Sequence, residues 1–211
     1  YLPAKGGWHA TETLGRGTLA ERSIQVAVTQ SSRRYVLFRQ QRGPDQLLSG
    51  TTHRDLTHVA GIPVSHVKSP GGYWERSSVR MVSADKGQAL LAWREARGDS
   101  DHRIVVADLV NGKLVDRQTL AATGVLDLSG AGVARNGAAA VAWETDKEHG
   151  HQQRVTTRVS TFSPFAVPTT LDTGALRWNQ SVLIAPDGSR AYVSFLGGKG
   201  FNLASTPVAA E

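Results

Sequence analysis

The chain has 211 residues, a formal net charge of +6, one Met and no Cys. This length provides for one large domain or two small ones with a buried core. The absence of Cys excludes a disulfide framework, a thiolate zinc site and a cysteine nucleophile. No apolar run approaches the roughly 18 residues that a membrane-spanning helix needs, so the sequence predicts no membrane span.

The excess positive charge lies in the first two fifths of the chain. Residues 1–80 contain 11 Lys and Arg against 5 Asp and Glu, whereas residues 81–211 contain 13 of each. Arg-rich surfaces attract anionic partners, and nucleic acid would use Arg33, Arg34, Arg39 and Arg42. These arginines alternate with strand residues and so point to different faces, which argues against nucleic acid as the partner.

A repeat of about fifty residues runs along the chain. The aromatic residues Phe38, Trp93, Trp143 and Phe195 are 55, 50 and 52 residues apart. Each ends a short apolar run that follows a polar turn, of the Asn-Gly or Asp-Gly kind in two of the four copies, and such runs predict β-strands. The other predicted strands of the repeat are, in chain order, Ser23–Val28, Ser78–Val82, Arg103–Leu109, Leu114–Leu120, Ser129–Val133, Arg154–Phe162, Ala166–Leu171, Ser181–Ile184 and Phe201–Val208.

Four-stranded antiparallel units repeated at this period predict an all-β fold, a β-propeller of four blades. The predicted blades are roughly residues 20–70, 71–122, 123–173 and 174–211, which together form one domain. The last blade contains three strands, and residues 8–14 resemble the fourth strands of the other units. We therefore expect the N-terminal strand to complete the last blade and close the ring, which removes an open sheet edge. The small residues of Ser129–Val133 suit an innermost strand.

Two other architectures are compatible with the same pattern. In the first, the 211 residues are part of a larger propeller whose further blades lie on another segment or on a partner subunit. In the second, the strands form a two-sheet sandwich.

The stretch Ala185–Val193 resembles the propeller repeats of TolB-type and related secreted proteins. Ser83–Gly87 also resembles the beginning of the Asp-box of sialidases, with Ala89 and Leu90 where that box has Thr and Trp. The wider resemblance implies a scaffold that binds proteins or glycans outside the cytoplasm, in the extracellular space or the cell envelope. A fold alone does not assign the function.

The candidate ligand site is the set of connections that precede the innermost strands, because a propeller presents these around one mouth of its axis. Exposed Trp side chains with polar neighbours suit a sugar face or a protein interface. The predicted ligand-binding residues are Glu21, Arg22, Trp74, Glu75, Arg76, Asp127, Trp178, Asn179 and Gln180.

The sequence contains no Gly-rich phosphate loop, no HExxH helix and no Gly-x-Ser-x-Gly elbow, and the pair His149 and His151 fits a solvated hairpin. We therefore predict no cofactor, no metal and no catalytic residue. The sequence favours a non-catalytic module that recognises a glycan or a protein. Two alternatives stay open: a glycan-acting hydrolase with Glu75 and Asp127 as acid and base, and an adaptor subunit of an extracellular assembly.

Overall fold

A computed structural model describes residues 19–40, 44–51, 54–65, 67–68, 75–76, 79–84, 88–97, 101–147, 150–172, 181–197 and 200–208. These residues form an all-β structure with three four-stranded antiparallel sheets, one three-stranded sheet and one two-stranded sheet; the all-β class and the four-stranded antiparallel units are as predicted. The predicted closing strand at residues 8–14 lies outside the described residues, so the four-blade closure stays a prediction.

The first sheet, blade 1, is a meander in which each strand pairs with the next one in the chain. Its strands are β1 (Leu19–Val28), β2 (Arg33–Gln40), β3 (Asp45–Thr51) and β4 (Arg54–Ile62). A two-stranded antiparallel sheet of β5 (Val67–Lys68) and β6 (Glu75–Arg76) follows blade 1 in the chain. It lies within a segment in which the sequence predicted only connections.

The second and third sheets repeat the same meander and are blades 2 and 3. Blade 2 contains β7 (Val79–Ser83), β8 (Gln88–Arg97), β9 (Asp101–Val110) and β10 (Lys113–Ala121). Blade 3 contains β11 (Val125–Val133), β12 (Ala139–Lys147), β13 (Gly150–Arg158) and β14 (Thr169–Asp172).

Three described strands form blade 4, in the order β15 (Ser181–Ile184), β16 (Arg190–Gly197) and β17 (Gly200–Pro207). The turn between β9 and β10 of blade 2 has the backbone that its sequence predicts. Asn111 and Gly112 have φ values of 50° and 81°, the left-handed backbone that a two-residue Asn-Gly hairpin requires.

The sheets are arranged around a common axis, as blades of a propeller are. The first strands β1, β7, β11 and β15 line one cavity of about 410 Å³, and each packs against the next in that order. Strands β15 and β1 line the same cavity without an extensive contact between them. The close approach of β11 to β15 requires small residues, because a Cβ at Gly130 would lie 2.9 Å from a methyl group of Val182.

Hydrophobic clusters join each blade to the next. Trp93 packs among residues of blades 1 and 2, Trp143 among residues of blades 2 and 3, and Phe195 among residues of blades 3 and 4. All three are at most 4% exposed. The prediction that the repeated aromatics pack between blades is confirmed for these three, and Phe38 is also buried.

Polar bridges cross the interfaces between consecutive blades. The side-chain amide of Gln25 donates to the carbonyl of Val79 at 2.8 Å and accepts from the amide of Met81 at 2.9 Å, which ties β1 to β7. Between blades 2 and 3, Arg158 donates two hydrogen bonds to the carboxylate of Asp108. Both residues are 2% exposed, so the ion pair is fully buried.

Candidate functional site at the mouth of the axis

The axial cavity is lined mainly by small and aliphatic residues in the described part of the chain. Its lining comes from the middle and C-terminal parts of the four first strands, and it contains no charged side chain among the described residues. Val26, Met81, Val133 and Leu183 are typical members. Such a surface offers van der Waals contact to a ligand but no group that can move a proton.

The predicted site residues occupy strands rather than the connections expected from the sequence. Glu21 and Arg22 belong to β1, Glu75 and Arg76 form β6, and Asp127 lies in β11 because that strand begins at Val125 instead of Ser129. Asp127 is the member whose side-chain contacts the structure describes. Outside the described residues lie the predicted Trp74, Trp178, Asn179 and Gln180.

Asp127 forms part of a pair of carboxylates near the N-terminal end of β11. Its Oδ1 accepts the backbone N–H of Leu128 at 2.8 Å. Directly opposite, in the register of β11 and β12, lies Glu144, and both residues are half-buried. Opposite residues of an antiparallel ladder have Cβ atoms about 4.5–5.5 Å apart, so the two acids lie side by side.

Glu144 is a residue that sequence reasoning missed. Counting back from the turn, where Val133 pairs with Ala139, would place Thr145 opposite Asp127. A shift of register between Leu128 and Gly130 moves the partner to Glu144. A β-bulge of this kind leaves no clear signal in the sequence.

Two arginines of blade 2 lie within electrostatic reach of Asp127. Burial lowers the pKa values of the Arg80 and Arg94 guanidinium groups, and the negative charge of Asp127 opposes that shift in both. Arg94 is 7% exposed and donates to the hydroxyl of Ser65 at 3.4 Å. Asp127 of blade 3 therefore interacts electrostatically with two guanidinium groups of blade 2.

His102 extends this electrostatic environment on blade 2. Burial and the positive charge of Arg94 lower its pKa, while Asp101 partly opposes the shift. The imidazole is therefore neutral at pH 7, with one nitrogen able to accept and the other to donate.

The described residues contain no group of three or more His, Cys, Asp or Glu that could hold a metal ion. Within the same part of the chain, no helix has the length and apolar character that crossing a membrane requires.

Searches against family models and against curated proteins found no match. Solved structures with a similar arrangement include an α-L-arabinofuranosidase from Clostridium thermocellum, at 12% identity and a TM-score of 0.45 over 84% of this chain and 61% of that one. They also include a glycosyl hydrolase from Bacteroides ovatus, at 11% identity and a TM-score of 0.36 over 89% and 66%. A third is an α-L-arabinofuranosidase from Podospora anserina, at 8% identity and a TM-score of 0.36 over 94% of this chain and 95% of that one.

The chain spans about two thirds or less of the length of the first two of these proteins. With identities of 8–12% and TM-scores below 0.5, these similarities assign no activity.

Proposed function

We propose that the chain is a propeller-like recognition module that binds a glycan at the mouth of its axis. The observation that carries this proposal is the cross-strand pair of Asp127 and Glu144, together with the electrostatic interaction of Asp127 with the guanidinium groups of Arg80 and Arg94. Sugar hydroxyls both donate and accept hydrogen bonds, so they match a site that presents acceptors next to donors. Trp74 and Trp178 are added to this proposed site from the sequence alone.

The surroundings of these charges suit recognition of a ligand with polar and apolar faces. Partly buried charges form stronger hydrogen bonds than solvated ones, because the local dielectric is lower. The axial cavity offers the exposed side chains of Val26 and Leu183 as contacts for the C–H face of a sugar ring. The proposal includes a location in the extracellular space or the cell envelope, where complex glycans occur.

The test is a binding screen on an immobilised glycan array at two salt concentrations, with Asp127→Asn as the variant. Asp55 is exposed on β4, so Asp55→Asn is a control with the same loss of charge. We expect binding that survives the higher salt and falls about tenfold or more in Asp127→Asn, because a hydrogen bond to a charged group contributes about 1.5–3 kcal/mol. Equal binding by both variants would remove Asp127 from the site.

The pairing of Asp127 with Glu144 favours a second candidate function, hydrolysis of a glycosidic bond. Such hydrolysis uses two carboxyl groups, roughly 5–5.5 Å apart in retaining enzymes and 6.5–9.5 Å apart in inverting ones. A panel of chromogenic glycosides tests it. We expect turnover that falls roughly 10²–10⁴-fold in Asp127→Asn and in Glu144→Gln, as general acid–base catalysis implies. Binding without turnover would assign the recognition function instead.

A further inference from the structure

Blades 2 and 3 contain equivalent tryptophans that differ in one contact. In blade 2, the indole N–H of Trp93 donates to Glu95 Oε2 at 3.2 Å. Arg103 and Arg117 donate to the same carboxylate, and Arg117 also lies over the Trp93 ring, 5.4 Å from its centroid. The buried Trp93 N–H therefore has a hydrogen-bond acceptor within its own blade.

The described part of blade 3 has no such acceptor for Trp143. The residue two positions after Trp143 is Thr145, where blade 2 has Glu95. Gln152 is opposite Thr145 in the register, where blade 2 has Arg103 opposite Glu95. Trp143 Nε1 and Gln152 Oε1 are both buried, and neither has a hydrogen-bond partner among the residues that the structure describes. A buried donor without an acceptor costs about 1–3 kcal/mol, so it requires an explanation.

A groove of about 390 Å³ lies at this position, between the end of β10 and blade 3. Trp143, Thr145 and Arg154 line its blade 3 side, and residues 120–124 line the opposite side. Arg154 is directly opposite Trp143 in the register of β12 and β13, so both side chains lie on the same face of the sheet. Among the described residues, no acid pairs with Arg154.

We infer that this groove is a second ligand site, which binds a small organic carboxylate. The ligand carboxylate accepts from Trp143 Nε1 and from the guanidinium group of Arg154, and so takes the position that the Glu95 side chain has in blade 2. The volume is at the lower end of the range for small-molecule pockets and accommodates a ligand of about the size of one sugar acid. This inference does not depend on the proposed function at the mouth.

The test is a titration of the ¹⁵N-labelled chain with D-glucuronate, propionate and D-glucose, followed by the Trp143 indole resonance and by calorimetry. The resonance is assigned by its loss in Trp143→Phe. We expect the indole signal to shift and saturate with at least one of the two carboxylates and to stay unchanged with glucose. A shift with both carboxylates means that the carboxylate group is sufficient for binding. A shift with glucuronate but not with propionate identifies a sugar acid as the ligand. Unchanged signals with both carboxylates, or an equal shift with glucose, would overturn the inference.

Two variants separate a ligand site from a merely structural gap. Thr145→Glu supplies the internal carboxylate of blade 2, so we expect it to shift the Trp143 indole signal without ligand and to abolish carboxylate binding. Arg154→Gln should weaken binding about tenfold or more, since charge-assisted hydrogen bonds are the strong ones. Arg190 lies exposed on β16 and provides the control Arg190→Gln. Full binding by Thr145→Glu, or equal losses in Arg154→Gln and Arg190→Gln, would contradict the inference.

Discussion

The buried ion pair between blades 2 and 3 gives the sharpest prediction about stability. Asp108 and Arg158 are each 2% exposed, and two hydrogen bonds join them. Removing one partner of such a pair leaves an uncompensated buried charge, which costs about 3–5 kcal/mol. We therefore expect Asp108→Asn to lower the free energy of unfolding by that amount. In a chain of this size the midpoint then falls by roughly 6–20 °C.

The double variant Asp108→Leu with Arg158→Met removes both charges and tests the reasoning directly. Burying two ions costs several kcal/mol of hydration, so replacing both by apolar side chains is close to neutral. Arg158 also lies over the Phe165 ring, 5.1 Å from its centroid, and that contact is lost. We expect the double variant to stay within about 2 kcal/mol of the parent chain.

Urea unfolding of the parent chain, Asp108→Leu, Arg158→Met and the double variant forms a double-mutant cycle, which measures the coupling between the two residues. Asp55→Asn provides the exposed control and should change stability by less than about 0.5 kcal/mol. A cost below about 1 kcal/mol for Asp108→Asn would refute the reasoning about a buried charge. A double variant at least as unstable as the sum of its single changes would refute it as well.

Three further predictions address packing, pH and closure. Gly130→Ala should destabilise the chain by about 1–3 kcal/mol in chemical unfolding, because the new methyl group meets Val182; no loss would mean that β11 and β15 are less closely packed. Burial alone would raise the pKa of Glu95, but hydrogen bonds and charges from Arg103 and Arg117 hold it below the ordinary 4.5. The ion cluster around Glu95 therefore stabilises the fold above pH 4.5, and this stabilisation is lost as the pH falls through the lowered pKa. The difference in thermal midpoint between Glu95→Gln and the parent chain should shrink over that pH range. A difference that stays constant with pH would contradict this prediction. The chain has no Cys, so Thr11→Cys combined in turn with Asn202→Cys and Leu203→Cys tests closure: at least one pair should cross-link on oxidation, and no cross-link in either would count against residues 8–14 as the closing strand.

The repeat made the sheets predictable, because each unit carries its own turn and its own aromatic residue. Trp93, Trp143 and Phe195 lie between blades as their equivalent positions imply. The contacts of Asp127 were not predictable in the same way. Its neighbour Glu144 depends on a bulge, and a shift of one residue changes which side chains share a face.

The groove between blades 2 and 3 illustrates a second limit of single-residue patterns. The repeat predicts that Trp143 is a core residue, and its side chain is indeed buried, with 1% of its surface exposed. Its missing acceptor becomes visible only when the register shows that Thr145 stands where blade 2 has Glu95. The candidate ligand site beside Trp143 is therefore recognised by comparing two copies of the repeat, and neither copy alone indicates it.

Exposed apolar side chains on blades 1 and 4 favour a further covering element. Ile24 of β1 is 50% exposed, and Phe201 and Leu203 of β17 are each more than 70% exposed, whereas Val26 and Val28 line the axial cavity. The interfaces between consecutive blades bury such side chains in shared hydrophobic clusters. Proteins rarely leave large apolar patches open unless they form an interface. A strand beside β17, as predicted for residues 8–14, would pair with the edge of the sheet rather than cover its face. The next blade of a larger propeller, or a partner subunit, would cover the exposed side chains.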